Sequence, residues 1–308
     1  MATITVPQAV PSPAEDAAAL LKAFQGWGTD EQAIISILAH RDANQRKQIL
    51  LEYEQEYNES LIQRLRSELS GDFEHAMYYW ILDPMERQAV MANAATKCIQ
   101  KEYPVIIEIA CANSSTELLQ VKKAYHVLYK RSLEEDVAAH STGNLRGLLL
   151  ALVSTYKYEG DAVDTRLAKS EAKIVLEAVR NGTTGHEELI RIVGTRSKAQ
   201  LDATFGCFRD EHGTSITKIR CCYLRALRTT VRCIVDTNKY FAKVLRNATR
   251  ESGTDEDSLT RVVVLRAEKD MKGISDAFQK RSSSTLEQAI AKETSGDYRS
   301  FLMALLGS

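Results

Sequence analysis

Gly28-Thr29-Asp30-Glu31 reappears as Gly253-Thr254-Asp255-Glu256, and the positions after each threonine keep one register without a gap. An arginine follows 12 residues on (Arg41, Arg266), an aromatic 24 on (Tyr53, Phe278), a leucine 32 on (Leu61, Leu286) and a glutamate 39 on (Glu68, Glu293). Each glutamate opens a matching tail, Glu68-Leu-Ser-Gly-Asp-Phe73 and Glu293-Thr-Ser-Gly-Asp-Tyr298. A chain that copies itself at fixed spacing builds one supersecondary unit several times, so the repeat constrains the fold more than any single motif does.

Two weaker copies lie between these. Thr195-Arg196-Ser197-Lys198-Ala199-Gln200-Leu201 parallels His40-Arg41-Asp42-Ala43-Asn44-Gln45-Arg46, with Phe208 again 12 residues after the arginine. Asn113-Ser-Ser-Thr-Glu117, Tyr125 and Ser141-Thr-Gly-Asn144 mark the other copy. The expected organisation is four units of about 70 residues: 14–83, 86–159, 163–236 and 239–306.

Within a unit the apolar spacing is helical. Leu61, Ile62, Leu65 and Leu69 fall on one face of an α-helix. Thr29-Asp-Glu-Gln32 reads as a capping box that starts a helix just after Thr29. In the first unit the pattern predicts five short helices, at about 14–25, 30–40, 43–58, 61–70 and 73–82. With 5 prolines and 15 glycines in 308 residues, turn residues are too scarce for a sandwich or barrel, and no segment alternates with period two. The expected fold class is all-α.

Charge excludes several functions. Lys and Arg number 40 against 41 Asp and Glu, so the overall balance draws the chain to neither nucleic acid nor an anionic membrane, and attraction to such a membrane needs an added cation. The clean apolar run Leu148–Val153 is too short to span a bilayer. Residues 1–13 carry no basic residue and no apolar run, so no secretory signal is expected. The six cysteines, 98, 111, 207, 221, 222 and 233, show no C-x-x-C spacing and suit a reduced, cytoplasmic chain.

A Gly-x-Gly-Thr turn between two helices can gather several carbonyls near one point, because glycine accepts positive φ. Three carbonyls and a bidentate glutamate brought beside them by helix packing supply five hard oxygens, whereas Ca²⁺ takes six to eight, leaving room for water or a phosphate oxygen. Four units of about 70 residues, Gly26-Trp27-Gly28-Thr29 with Glu68 beyond, and the arginine-centred core of each unit resemble the annexin repeat over nearly the whole chain. Retention of the motif in the first and fourth units and its loss from the second and third resemble the plant annexins. The resemblance implies a curved disc of four five-helix repeats that binds calcium and, through it, acidic phospholipid. It implies a mostly monomeric cytoplasmic protein, peripheral at the plasma membrane when calcium rises.

Carried over position by position, the resemblance gives a first site of the carbonyls of Phe24, Gly26 and Gly28 with the Glu68 carboxylate. A second site has Thr249, Glu251 and Gly253 as carbonyl donors with Glu293. There Glu251 stands where the family pattern has its first glycine. Thr29 with Glu31, and Thr254 with Glu256, match the family's accessory site; as first-turn acids, Glu31 and Glu256 also fit simple helix electrostatics. Trp27, between its two glycines, suits the headgroup level of a bilayer; the alternative is a ring lying on a neighbouring helix. In the second unit the turn falls at Cys98-Ile-Gln-Lys101 without glycine, and His140 takes the glutamate position. In the third, no acidic residue lies between Glu211 and Asp236, while Lys218, Arg220, Arg225, Arg228 and Arg232 do.

Competing readings are an enzyme and a helical-repeat scaffold. Plant annexins have been discussed as peroxidases through a histidine at the place of His40, but no distal haem pocket is legible. Asp270-Met-Lys-Gly273 matches D-x-x-G without any G-x-x-x-x-G-K-S/T to cradle phosphate. Ile190-Arg191-Ile192 resembles a short actin-associated motif, making actin a further partner to consider. Cys111 and Cys233 occupy positions where plant annexins often carry cysteine. Of the residues lining the family's hydrophilic pore, Glu108 and Arg266 match, whereas Ala89 and Asn113 do not. A generic scaffold varies its loops freely, and the unchanged spacing of two loops favours metal sites.

Overall fold

The structure, a computed structural model, describes residues 1–26, 28–154, 156–181, 186–216, 224–250 and 253–308. In the first unit, α1 (Pro13–Ala23), α2 (Glu31–Leu38), α3 (Ala43–Tyr57), α4 (Leu61–Glu68) and α5 (Gly71–Ile81) fall where the periodicity predicts them. Local chemistry sets their ends. Ser12 and Glu15 form a reciprocal capping box at α1, and these hydrogen bonds hold the Glu15 carboxyl below the usual carboxylate range. Asp42 and Gln45 do the same for α3, which ends at Asn58 in the left-handed region (φ 50°). The box expected at Thr29 does not form: Asp30 caps α2 instead, its carboxylate accepting from the Ala33 N–H at 2.9 Å with no side chain to reciprocate, and the Thr29 hydroxyl is engaged elsewhere.

The chain continues through α6 (Pro84–Lys97), α7 (Ile99–Ala112), α8 (Ser115–Tyr129), α9 (Leu133–His140), α10 (Gly143–Ser154), α11 (Thr165–Asn181), α12 (His186–Thr195), α13 (Lys198–His212) and α14 (Leu224–Val235). It closes with α15 (Thr237–Ala248), α16 (Glu256–Arg266), α17 (Met271–Gln279), α18 (Leu286–Glu293) and α19 (Gly296–Leu306). The fold is all-α. Among the described residues the extended exception is a two-residue pair, β1 (Thr249–Arg250) antiparallel to β2 (Gly253–Thr254), with Thr249 opposite Thr254. No described helix is long and apolar enough to cross a membrane.

Two compact units form: residues 1–87 with 238–308, and residues 88–237. The first is built around Trp80, fully buried, donating its indole N–H to the Leu38 carbonyl at 2.7 Å and packing edge-on against Phe301. The buried guanidiniums of Arg46 and Arg87 lie 3.8 and 5.1 Å from the Trp80 ring centroid. Glu268 answers Arg46 at 2.9 Å, and Arg87 donates to the carbonyls of Tyr79, Trp80, Leu82 and Val264. Residues 1–5 lie on the same unit: Thr3 N donates to Ala267 O at 2.8 Å, and His40 Nδ1 bonds to Thr5. In the second unit α11 packs on α13, α7 on α14, and α10 on α7 and α12.

A pairing at a spacing of 25 residues recurs through both units. Arg41 holds Asp16 in a buried bidentate pair at 2.6 and 2.8 Å. Asn113 donates to Gln88, and Arg196 to Glu171, while Arg266 lies 5.0 Å over the Phe241 ring. Each couples the helix that opens a copy to the C-terminal end of its second helix or the residues just after it.

Candidate metal centres

Each candidate centre starts from a helix end. After α1 the chain turns through Gly26 (φ +122°) and Gly28 (φ +109°) before α2, conformations that a Cβ would strain. The Asp30 N–H closes the turn onto the Ala23 carbonyl at 2.8 Å. Among the described residues, the carbonyls of Phe24, Gly26 and Gly28 accept no hydrogen bond. Gly26 and Gly28 are exposed and Phe24 is buried, so three free carbonyls occur in one short turn held at its base by the core.

Helix α4 brings its last residue, Glu68, beside this turn. Thr29 Oγ1 donates to Glu68 Oε2 at 2.8 Å, joining residues 39 apart. The other carboxylate oxygen is also engaged, since Arg64 Nη2 lies 3.1 Å from Glu68 Oε1. Arg64 in turn sits with its guanidinium 5.6 Å from the Phe24 ring centroid and 3.6 Å from Glu59. The sequence did not single out Arg64; its place one helical turn before Glu68 was the available signal.

The second centre repeats the two ends of the turn. Asp255 N donates to Ala248 O at 3.0 Å, Gly253 has φ +121°, and Asp255 caps α16 through the Ser258 N–H. Glu251 lies outside the described residues, while the β1–β2 pair draws Thr249 and Thr254 together on either side. Here the threonine is used differently: Thr254 Oγ1 donates to the backbone carbonyl of Glu293 at 3.1 Å. The Glu293 carboxylate instead lies 3.7 Å from Lys292. Ala289 stands where the first centre has Arg64.

Glu31 and Glu256 occupy the first turns of α2 and α16, and their carboxylates make no hydrogen bond or ion pair among the described residues. Trp27 lies outside the described residues, as do Lys218 and Arg220. The equivalent place in the second copy is closed: only Cys98 separates α6 from α7, and Lys101 is already helical. The helix α9 matches α4 and α18 in its eight residues but ends in His140, whose Nδ1 bonds to the Asp136 carbonyl. Of the triplet read for actin, Ile192 is buried and Arg191 pairs with Glu188 at 2.7 Å.

No three His, Cys, Asp or Glu side chains cluster as a metal site among the described residues. A metal held by these turns is therefore held mainly by backbone oxygens and one carboxylate each, a donor set suited to a hard cation and unsuited to zinc or copper. The free carbonyls, the positive-φ glycines and the threonine-tethered Glu68 fit calcium.

The Annexin family model matches residues 15–80, 87–152 and 240–305. "Annexin-like protein RJ4" of Fragaria ananassa is 54% identical over 298 residues, covering 95% of each chain. Annexin D6 of Arabidopsis thaliana is 49% identical over 314 residues, covering 100% of this chain and 99% of that one. Among solved structures, annexin III superposes with a TM-score of 0.93 at 32% identity, covering 100% and 97% of the two chains. A crystal structure of calcium-bound annexin (Sm)1 gives 0.83 at 26%, covering 100% and 93%.

Proposed function

The chain belongs to the annexin family, and from that premise we propose that it binds calcium in two loops and thereby docks on acidic phospholipid. Phe24, Gly26 and Gly28 give carbonyl oxygens and Glu68 a carboxylate to the first centre. Thr249, Glu251, Gly253 and Glu293 serve the second, with Thr29, Glu31, Thr254 and Glu256 at the accessory positions. The observation that carries this reading is the Thr29–Glu68 hydrogen bond, which sets a carboxylate beside three carbonyls that the fold leaves free.

Calcium supplies the positive charge that a chain of net charge −1 lacks, together with coordination positions for a lipid phosphate. The protein's part is to hold the oxygens in place. The glycines let the turn point its carbonyls outward, Thr29 fixes one oxygen of Glu68, and Arg64 must release the other. Trp27 is the residue we assign to the headgroup layer. We further propose 163–236 as a fourth copy beside 14–83, 86–159 and 239–306, supported by the Glu171–Arg196 pairing at the spacing of Asp16–Arg41. The protein then acts as a monomer, cytoplasmic at rest and peripheral at the plasma membrane when calcium rises.

Co-sedimentation with phosphatidylserine vesicles across a calcium titration tests the proposal. Binding is expected with calcium and acidic lipid together, and lipid should tighten calcium binding by the factor that calcium tightens lipid binding. Glu68→Gln and Glu293→Gln keep side-chain volume and remove a charged ligand each. The double variant should lose calcium-dependent sedimentation; if it sediments at the parental calcium concentration, the two glutamates merely end their helices and the mechanism is wrong.

A further inference from the structure

Away from both calcium loops, the unit of residues 88–237 holds a half-open cavity of about 300 Å³, at the lower end of small-molecule sites. Its floor is apolar, formed by Leu118, Leu152, Leu201 and Ile234, all buried. Its collar is basic, with Lys157, Arg196 and Lys198 against one lining carboxylate, Glu159. An apolar floor under convergent cations is the chemistry of a site for an organic anion.

The internal copies show that the fold does not use up this charge. In the first copy all three donor nitrogens of Arg41 are engaged, Nε and Nη2 by Asp16 and Nη1 by the His40 carbonyl. In Arg196 only Nε donates, to Glu171 Oε1 at 2.8 Å, and among the described residues Nη1 and Nη2 make no hydrogen bond. Among the described residues the second oxygen of the buried Glu171 has no hydrogen-bond partner. Lys198 is exposed and among the described residues makes no hydrogen bond or ion pair. Lys157 uses one N–H on the Val193 carbonyl at 3.1 Å and, among the described residues, keeps two. The chain already places one anion here: the Glu159 carboxylate accepts from the Ser115 N–H at the start of α8.

We propose that this cavity binds a small organic anion, its phosphate or carboxylate held by Arg196, Lys157 and Lys198 and its apolar body resting on the leucine floor. A phospholipid headgroup carries the same phosphate, but with its acyl chains held in a bilayer it offers the apolar floor no body to cover, so the ligand is a free molecule. Occupancy is independent of calcium.

Calorimetry in EGTA with phenyl phosphate, inorganic phosphate and phosphatidylserine vesicles tests this. Phenyl phosphate should bind with 1:1 stoichiometry and about tenfold more tightly than inorganic phosphate, which lacks the apolar body. Lys198→Gln, at a side chain with no partner among the described residues, should weaken it severalfold, and Glu159→Gln should strengthen it. The pair Glu171→Gln with Arg196→Gln removes the guanidinium without stranding a buried carboxylate, and should weaken it further. Because Cys111 lines the cavity, bound phenyl phosphate should slow its alkylation and leave the exposed Cys98 unaffected. Absence of phenyl phosphate binding, equal affinity for inorganic phosphate, affinity unchanged in the variants, or protection of Cys111 by vesicles instead each overturns the proposal.

Discussion

Thr29 Oγ1 donates to Glu68 Oε2 at 2.8 Å, whereas its counterpart Thr254, at the same spacing of 39, donates to the backbone carbonyl of Glu293. Two turns closed by the same backbone hydrogen bond, Asp30 to Ala23 and Asp255 to Ala248, thus present their carboxylates differently. Glu68 is anchored by a hydroxyl and shared with a guanidinium, while Glu293 is left beside Lys292. The difference makes the first centre better oriented but more contested.

The contest gives the first prediction. Arg64 must leave Glu68 Oε1 before that oxygen can serve as a ligand, so Arg64→Ala should lower the calcium needed for vesicle binding severalfold, on the order of the 1 kcal/mol carried by a partly exposed pair. Glu68→Gln should raise that requirement more than Glu293→Gln does. Calcium titrations of co-sedimentation read both; a requirement unchanged in Arg64→Ala removes the competition.

A second prediction concerns stability. Asp16 and Arg41 are each about 4% exposed and joined twice. Arg41→Met alone strands a buried carboxylate and should cost roughly 3–5 kcal/mol in denaturant unfolding. Adding Asp16→Leu should recover most of that loss. Equal destabilisation by the single and double variants would show that the pair acts through shape and not charge.

Thiol chemistry supplies the third. Burial pushes the Cys111 thiol up to about 11, with Lys157 opposing. A thiol whose folded value exceeds its unfolded one stays protonated while the unfolded thiol ionises, so its contribution favours unfolding as pH rises from about 9 to about 11. In the folded protein, alkylation of Cys111 should climb about tenfold per pH unit through that window. Peptide mass spectrometry against the exposed Cys98 checks it, and a plateau near pH 9 would show an ordinary thiol.

Fluorescence gives the fourth. Trp80 is sealed beneath Arg46 and Arg87 with its N–H satisfied, so its emission should not respond to vesicles. Any blue shift on adding calcium and phosphatidylserine then reports Trp27, and Trp27→Phe should abolish it. A shift that persists in Trp27→Phe would move the contact away from the first loop.

Helix periodicity, capping residues, the glycine turns and the 39-residue spacing to each glutamate are all properties of residues in fixed order, and the sequence by itself determined them: an all-α chain of repeated units with two candidate calcium loops. Even so, the cap of α2 fell to Asp30 and the expected box did not form, because a threonine that can cap a helix can also bond a carboxylate brought from elsewhere. Tertiary structure decided which happened. It also decided that Arg64 shares Glu68, that Thr254 takes a carbonyl where Thr29 takes a carboxylate, and that Asp16 meets Arg41 with both oxygens while Glu171 meets Arg196 with one. Local order specifies what each turn can do; a hydrogen bond acts over about 3 Å, and only packing brings residues far apart in the chain within that distance.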